Sequence, residues 1–155
     1  MAQIKHQIVV EAPAAKVFPL VSTGDGFKQW WAADVTETDA PVSKGTTDVV
    51  KLTLVELGFF KRSTLYRLQQ KRVAEPNEAE WCCTTGKEWD GTRMVFALQE
   101  DNGKTTVRFT HADWKAETDY FVSCNTTWGE LMFRLKAAAE GKAPGPLFSA
   151  EGMAY

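Results

Sequence analysis

The residues best suited to chemistry near neutral pH are two histidines, His6 and His111. Each lies in a segment where apolar and polar residues alternate, on the same side of the predicted strand as apolar residues. His6 shares its side with Ile4 and Ile8, and His111 shares its side with Phe109. A neutral imidazole facing a pocket can accept or donate a proton, so either histidine could act as a general base. The alternative is a hydrogen-bonded histidine at a sheet edge, since His111 lies near the end of its strand. The pattern is compatible with both roles.

Other reactive residue types lack the spacing that their chemistry needs. His111 and Asp113 could supply two metal ligands, but a third and fourth cannot be named, so we predict neither a metal nor a cofactor. Cys82, Cys83 and Cys124 form no C-x-x-C pair and are expected to be reduced, buried thiols. No serine or cysteine lies in a nucleophile motif, and the glycines form no phosphate-binding signature.

Length and composition are typical of one globular domain. The chain has 155 residues, 44% of them hydrophobic, and a formal net charge of -2. This charge gives no drive towards nucleic acid or an anionic membrane, and the amino terminus lacks the apolar core of a signal peptide. We therefore expect a cytoplasmic protein that binds neither nucleic acid nor a membrane. Six tryptophans and nine phenylalanines are many for this length, and they require a large core or cavity.

The elements that must position these residues are mostly strands. Pro13 suits the first turn of a short helix, which Pro19 should kink or shorten, and a second helical turn follows at 27–31. The Asn102-Gly103 pair predicts a tight hairpin in which Met94, Phe96 and Leu98 lie beside Val107, Phe109 and His111. Strands are predicted at 3–10, 35–38, 46–55, 63–74, 79–85, 92–99 and 105–111, the long polar one at 63–74 being curved or at an edge.

The strongest helix signal runs from 119 to 140, with Thr118 or Asp119 as its N-cap. At 3.6 residues per turn one face carries Phe121, Cys124, Trp128, Leu131, Met132, Leu135 and Ala139. Phe133 points the other way, and it either packs under the connection at 112–118 or makes a dimer contact. The apolar face needs a surface to lie on, which the strands can supply as a curved antiparallel sheet.

Four segments in this order, IVVEAPAAKVFPLVS, GFKQWWAADV, TTVRFTHADW and TTWGELMFRLKAAAEG, resemble the START-like (SRPBCC) superfamily. Within it, the chain looks most like the branch similar to activators of the ninety-kilodalton heat-shock protein's ATPase. The resemblance implies an α+β helix-grip fold, a curved antiparallel sheet round a long C-terminal helix, with two short helices after the first strand. We expect one such domain at 1–141 and a tail at 142–155, either disordered or docked through Leu147 and Phe148.

The resemblance also implies an apolar cavity between the long helix and the concave sheet. The residues expected to bind a ligand there are Trp30, Trp31, Trp81, Phe96, Phe109, His111, Trp128 and Met132. Our first hypothesis is a non-enzymatic protein that binds a small hydrophobic or aromatic molecule. The alternatives are an interaction domain that activates a chaperone ATPase, and a cyclase- or hydrolase-type enzyme that uses His6 or His111. A homodimer is a further possibility.

Overall fold

The long antiparallel sheet of this protein curves around its C-terminal helix, as a computed structural model covering residues 2–43 and 49–154 shows. The sheet has seven strands in the order β1-β7-β6-β5-β4-β3-β2, so that β1 and β2 form its edges. The strands are β1 (Ala2–Val10), β2 (Asp34–Ser43), β3 (Val49–Phe59), β4 (Thr64–Ala74), β5 (Glu78–Cys83), β6 (Arg93–Asp101) and β7 (Lys104–Trp114). The helices are α1 (Ala14–Ser22), α2 (Gly24–Phe27) and α3 (Asp119–Ala139). The predicted helix-grip fold is confirmed.

The hairpin between β6 and β7 forms as predicted. Asn102 and Gly103 both have positive φ, 53° and 77°, which is the backbone of a tight primed turn. The resulting register pairs Met94 with His111, Phe96 with Phe109 and Leu98 with Val107. This register places His111 on the inner face of the sheet, beside the long helix.

Helix α3 begins where its capping residue predicts. The Thr118 hydroxyl accepts a hydrogen bond from the Phe121 amide at 3.2 Å, which satisfies one of the free N–H groups of the first turn. The predicted apolar face is the buried face. Trp128 lies at its centre, with its ring centroid 4.2 Å from that of Phe109 on β7. Burial of each large side chain on this face stabilises the fold by roughly 1.5–3 kcal/mol.

The strand predicted at 46–55 ends later than expected, at Phe59, and its first residues, 46–48, lie outside the described part of the chain. The buried side chains in its second half are Val55, Leu57 and Phe59. Of the two alternatives for the strand at 63–74, curvature agrees with the structure, because a register shift between Gln70 and Arg72 bends β4. It is not an edge strand, since it pairs with both β3 and β5, and it is polar because one face meets solvent.

Two other expectations concern helices. Pro19 lies inside α1 without ending it, and the helix continues to Ser22, whose hydroxyl donates to the Phe18 carbonyl at 2.7 Å. Phe133 is 66% exposed, so its predicted packing under the 112–118 connection is wrong. In the parts of the chain that the structure describes, no helix is long and apolar enough to cross a membrane.

Residues 143–154, here called the C-terminal strap, lie against the domain. The strap contains the short hairpin β8 (Phe148–Ser149) and β9 (Gly152–Met153). Its amides at Leu147 and Phe148 donate to the carbonyls of Trp30 and Trp31, at 3.2 and 2.9 Å. Leu147 is fully buried, so the strap is anchored by packing as well as by hydrogen bonds.

Candidate functional site

A cavity of about 600 Å³ opens between α3, β4, the segment that links β5 to β6, and the C-terminal strap. Its volume lies within the range of about 300–1,000 Å³ that small-molecule sites occupy. Most of its wall is apolar, with hydroxyl and charged groups at a few positions. The lining residues are Trp31, Phe59, Phe60, Ser63, Thr64, Leu65, Tyr66, Gly86, Lys87, Glu88, Trp89, Tyr120, Ser123, Cys124, Thr127, Trp128, Leu131, Phe148 and Met153.

Stacked aromatic rings build the inner wall. The Trp89 indole lies parallel to the Tyr66 ring, at a centroid distance of 4.1 Å and an interplanar angle of 26°. Trp89 is also nearly parallel to Trp128, at a centroid distance of 6.1 Å and an interplanar angle of 17°. Trp31 contacts Trp128 at 5.0 Å. Large flat surfaces at fixed spacing favour aromatic or other flat apolar ligands.

Sequence reasoning missed Tyr66 and Trp89. Trp89 lies between β5 and β6, outside any periodic segment, so no parity argument could orient it. Tyr66 shares its face of β4 with Leu68, and that alternation was a usable signal. The strap residues Phe148 and Met153 had no periodicity to reveal them.

Of the residues predicted to bind a ligand, Trp31 and Trp128 line this cavity. The remaining ones are completely or almost completely buried in the core beside it: Trp30, Trp81, Phe96, Phe109, His111 and Met132. The Trp30 and Trp81 indole N–H groups donate to the carbonyls of Leu20 and Val21 near the end of α1, at 2.8 and 2.9 Å.

His111 is buried with both ring nitrogens hydrogen-bonded. The Trp128 indole can only donate, so Nδ1 of His111 accepts its N–H at 3.1 Å. Nε2 then carries the proton and donates to Oγ1 of Thr92 at 2.8 Å, and that hydroxyl donates to the Trp89 carbonyl at 2.6 Å. Burial lowers the pKa of His111 to about 3, so the imidazole is neutral at physiological pH. Neither nitrogen is available to a ligand, and the histidine instead connects Trp128 with the Trp89 segment.

His6 lies apart from the cavity, between β1 and α3. Its Nε2 is 2.9 Å from Oδ1 of Asn125 on the helix. The adjacent turn of α3 carries Gly129, where an added Cβ would lie 3.5 Å from Cε1 of His6. The imidazole thus links an edge strand to the helix.

Two tyrosine hydroxyls meet on the cavity wall, Tyr66 from β4 and Tyr120 from the first turn of α3, and they are hydrogen-bonded to each other. Burial raises the pKa of both phenols. Cys124 lies one turn after Tyr120, and burial raises the pKa of its thiol as well. Burial also raises the pKa of Cys83 to about 12. These cysteines are therefore protonated and weakly nucleophilic.

Metal chemistry has no support in the described residues, among which no three histidine, cysteine or acidic side chains are grouped to hold an ion. Charged residues occur at the rim, where Glu88 accepts a hydrogen bond from the Thr118 hydroxyl. The site is thus an apolar, aromatic cavity with hydroxyl groups on its wall.

A curved antiparallel sheet around a long C-terminal helix, with a cavity between them, defines the START-like (SRPBCC) superfamily, to which this fold belongs. The sequence profile of the family described as "Activator of Hsp90 ATPase homolog 1-like protein" matches residues 11–140. The chain is a member of that family. No curated protein matches it in sequence.

Several solved structures are similar in fold. The Aha1 dimer from Colwellia psychrerythraea has 26% identity and a TM-score of 0.72, over 91% of this chain and 98% of that one. The protein BH1534 from Bacillus halodurans has 20% identity and a TM-score of 0.65, over 90% and 98%. CalU16 from Micromonospora echinospora has 15% identity and a TM-score of 0.67, over 92% and 68%. The last two likenesses concern the fold alone.

Proposed function

We propose that this protein is a non-enzymatic binder of a small hydrophobic or aromatic molecule, held in the cavity between α3 and the sheet. The observation that carries the proposal is the aromatic wall around a space of about 600 Å³. Transfer of apolar ligand surface from water into such a space contributes roughly 25 cal/mol per Å². The engaged nitrogens of His111 and the protonated thiols support binding rather than catalysis.

Adjacent threonines on α3 provide a matched test. Thr127 lines the cavity, whereas Thr126 is exposed on the outside of the helix. We expect lipids, polyketides or aromatic acids screened against the protein to quench the fluorescence of Trp31, Trp89 or Trp128. Thr127→Trp should fill the cavity and weaken binding of any hit at least tenfold, while Thr126→Trp should leave it unchanged. A screen with no hit, or equal effects of the two substitutions, would count against the proposal.

A second candidate function is an interaction with a chaperone, which the family match favours. The outward surface of α3 carries two exposed apolar side chains that could make such a contact, Val122 and Phe133, which are 57% and 66% exposed. They are three turns apart and share one side of the helix. If this surface docks on a ninety-kilodalton heat-shock chaperone, the protein should raise its ATPase rate and Phe133→Ser should abolish the effect. An unchanged ATPase rate with the wild-type protein rejects this function.

The same surface is our candidate for a homodimer contact. The Colwellia psychrerythraea relative is described as a dimer, and a second copy of α3 would cover Val122 and Phe133. Sedimentation equilibrium of the wild type should then show a dimer that Phe133→Ser converts to a monomer. A wild-type monomer at high micromolar concentration would exclude the contact.

A further inference from the structure

The hydroxyls of Tyr66 and Tyr120 have one proton more than their mutual hydrogen bond uses. Each phenol carries a single O–H, and the bond between them consumes one of the two protons. The Tyr120 hydroxyl also interacts with the thiol of Cys124, one turn further along α3, but sulfur is a weak hydrogen-bond acceptor. Because oxygen is a stronger acceptor than sulfur, the second O–H is available to water or to a ligand.

Packing fixes the position of this donor. The Tyr66 ring stacks on Trp89 at 4.1 Å, and its edge meets Phe59 at 5.5 Å. The backbone also approaches the ring closely at Gly86, where an added Cβ would lie 2.7 Å from a Tyr66 ring carbon. A hydroxyl on a ring held by three such contacts loses little conformational entropy when a ligand binds.

The donor also persists across the physiological pH range. Burial is the main cause of the raised pKa values of Tyr66 and Tyr120, so both phenols stay protonated. A neutral hydroxyl pair can donate to an uncharged acceptor, and it lacks the positive charge that a carboxylate ligand would favour.

We propose that the cavity selects apolar or aromatic molecules with a hydrogen-bond acceptor, such as a ketone carbonyl, that receives the free proton of the Tyr66–Tyr120 pair. This inference depends on the proposed binding function and specifies its ligand class. The ring system of the ligand occupies the aromatic wall, and its carbonyl oxygen replaces the water that the hydroxyl pair would otherwise bind. The pair orients the ligand and takes no part in a reaction.

Two probes of similar shape test the proposal, 2-acetylnaphthalene, which has a carbonyl acceptor, and 2-ethylnaphthalene, which has none. Their dissociation constants are measured by equilibrium dialysis for the wild type and for the double variant Tyr66→Phe/Tyr120→Phe. A net hydrogen bond corresponds to about a three- to tenfold change in affinity. The affinity for the ketone relative to the hydrocarbon should fall by that factor in the double variant. The comparison of ratios removes any difference in hydrophobicity between the probes.

Thr126→Val, which removes an exposed hydroxyl from the same helix, is the matched control and should keep the wild-type ratio. An unchanged ratio in the double variant, with the hydrocarbon still bound, would overturn the acceptor preference and leave the cavity proposal standing. Failure of the wild type to bind either probe would refute both. Circular dichroism of each variant establishes that it is folded before dialysis.

Discussion

The indole N–H of Trp128 points at Nδ1 of His111 across 3.1 Å, and this bond joins the middle of α3 to β7. The same imidazole donates through Nε2 to Thr92, whose hydroxyl donates to the Trp89 carbonyl. One buried ring therefore connects the helix, the sheet and the segment that carries Trp89. A histidine that looked like a candidate base is therefore a structural element of the core beside the cavity. The contribution of His111 can be measured as a change in the free energy of unfolding.

Replacement of His111 by Leu should destabilise the protein by about 2–4 kcal/mol. The change leaves the buried Trp128 N–H without an acceptor, which costs roughly 1–3 kcal/mol. It also removes one of the two hydrogen bonds of the Thr92 hydroxyl, which contributes about 0.5–1.5 kcal/mol. Urea denaturation followed by tryptophan fluorescence measures the loss. His6→Leu, at a partly exposed position, is the comparison and should cost less. Equal losses would contradict the structural role assigned to His111.

Stability should fall as the pH is lowered below about 6.5. The pKa of His111 is about 3 in the folded protein, below its ordinary value of 6.5, so the unfolded state binds more protons between these limits. This contribution is complete above pH 6.5 and is lost as the pH falls towards 3. From pH 6.5 to 5 the loss should be about 2 kcal/mol, at 1.36 kcal/mol per pH unit.

The variant His111→Gln, which retains a donor and an acceptor, should lack this part of the pH dependence. Measurements of the free energy of unfolding between pH 7 and 5 avoid the range in which Glu56 and Glu140 titrate, since the pKa of each is lowered by a basic partner. If the variant keeps the full slope over that interval, another group must be its source.

Gly86→Ala should disturb the cavity as well as the backbone. Gly86 has a φ of 96°, and an added Cβ would push against the Tyr66 ring from 2.7 Å. Gly91 in the same loop has a φ of 85° with nothing within 4 Å of an added Cβ, so Gly91→Ala carries backbone strain alone. We expect Gly86→Ala to cost about 1–2 kcal/mol more than Gly91→Ala in urea denaturation. Binding of 2-ethylnaphthalene should weaken in Gly86→Ala alone.

Arg134 should hold the C-terminal strap in place. Its guanidinium donates to the carbonyls of Pro144, Gly145 and Ala154 at 2.8, 2.8 and 3.0 Å. In Arg134→Gln we expect amide exchange at Leu147 and Phe148 to accelerate at least tenfold, because loss of these charge-assisted bonds lets the strap open locally.

Arg108→Gln removes a comparable charge from β7, where the guanidinium bonds to Gln99. Exchange in the strap should be unaffected by that change. Equal acceleration in both variants would indicate a general loss of stability rather than release of the strap.

Local patterns in the sequence predict the framework of this molecule. Thr118 caps α3 because its hydroxyl meets an amide three residues later, and the Asn102-Gly103 turn sets the β6–β7 register. Both signals depend on neighbours in the chain. The apolar face of α3 is also predictable, since helical periodicity fixes which side chains share it.

The cavity depends on contacts that chain periodicity does not encode. Trp89 stacks on Tyr66 from a loop, and the strap closes one side of the space with Phe148 and Met153. The predicted aromatic residues of the hairpin, Phe96 and Phe109, pack beside each other at 5.0 Å in the core. Alternation identifies the inner face of a strand, but it does not separate positions that fill the core from positions that border empty space.

The groups that attach the strap to the domain are different from the groups that the strap presents to the cavity. Arg134 holds main-chain carbonyls, which any amino acid provides, while the side chains of Phe148 and Met153 face the cavity. Residues 148 and 153 can therefore vary without loss of the bonds that fasten the segment. If the cavity binds a ligand as proposed, a library randomised at these two positions should change which small molecules bind while the hydrogen bonds of the strap remain.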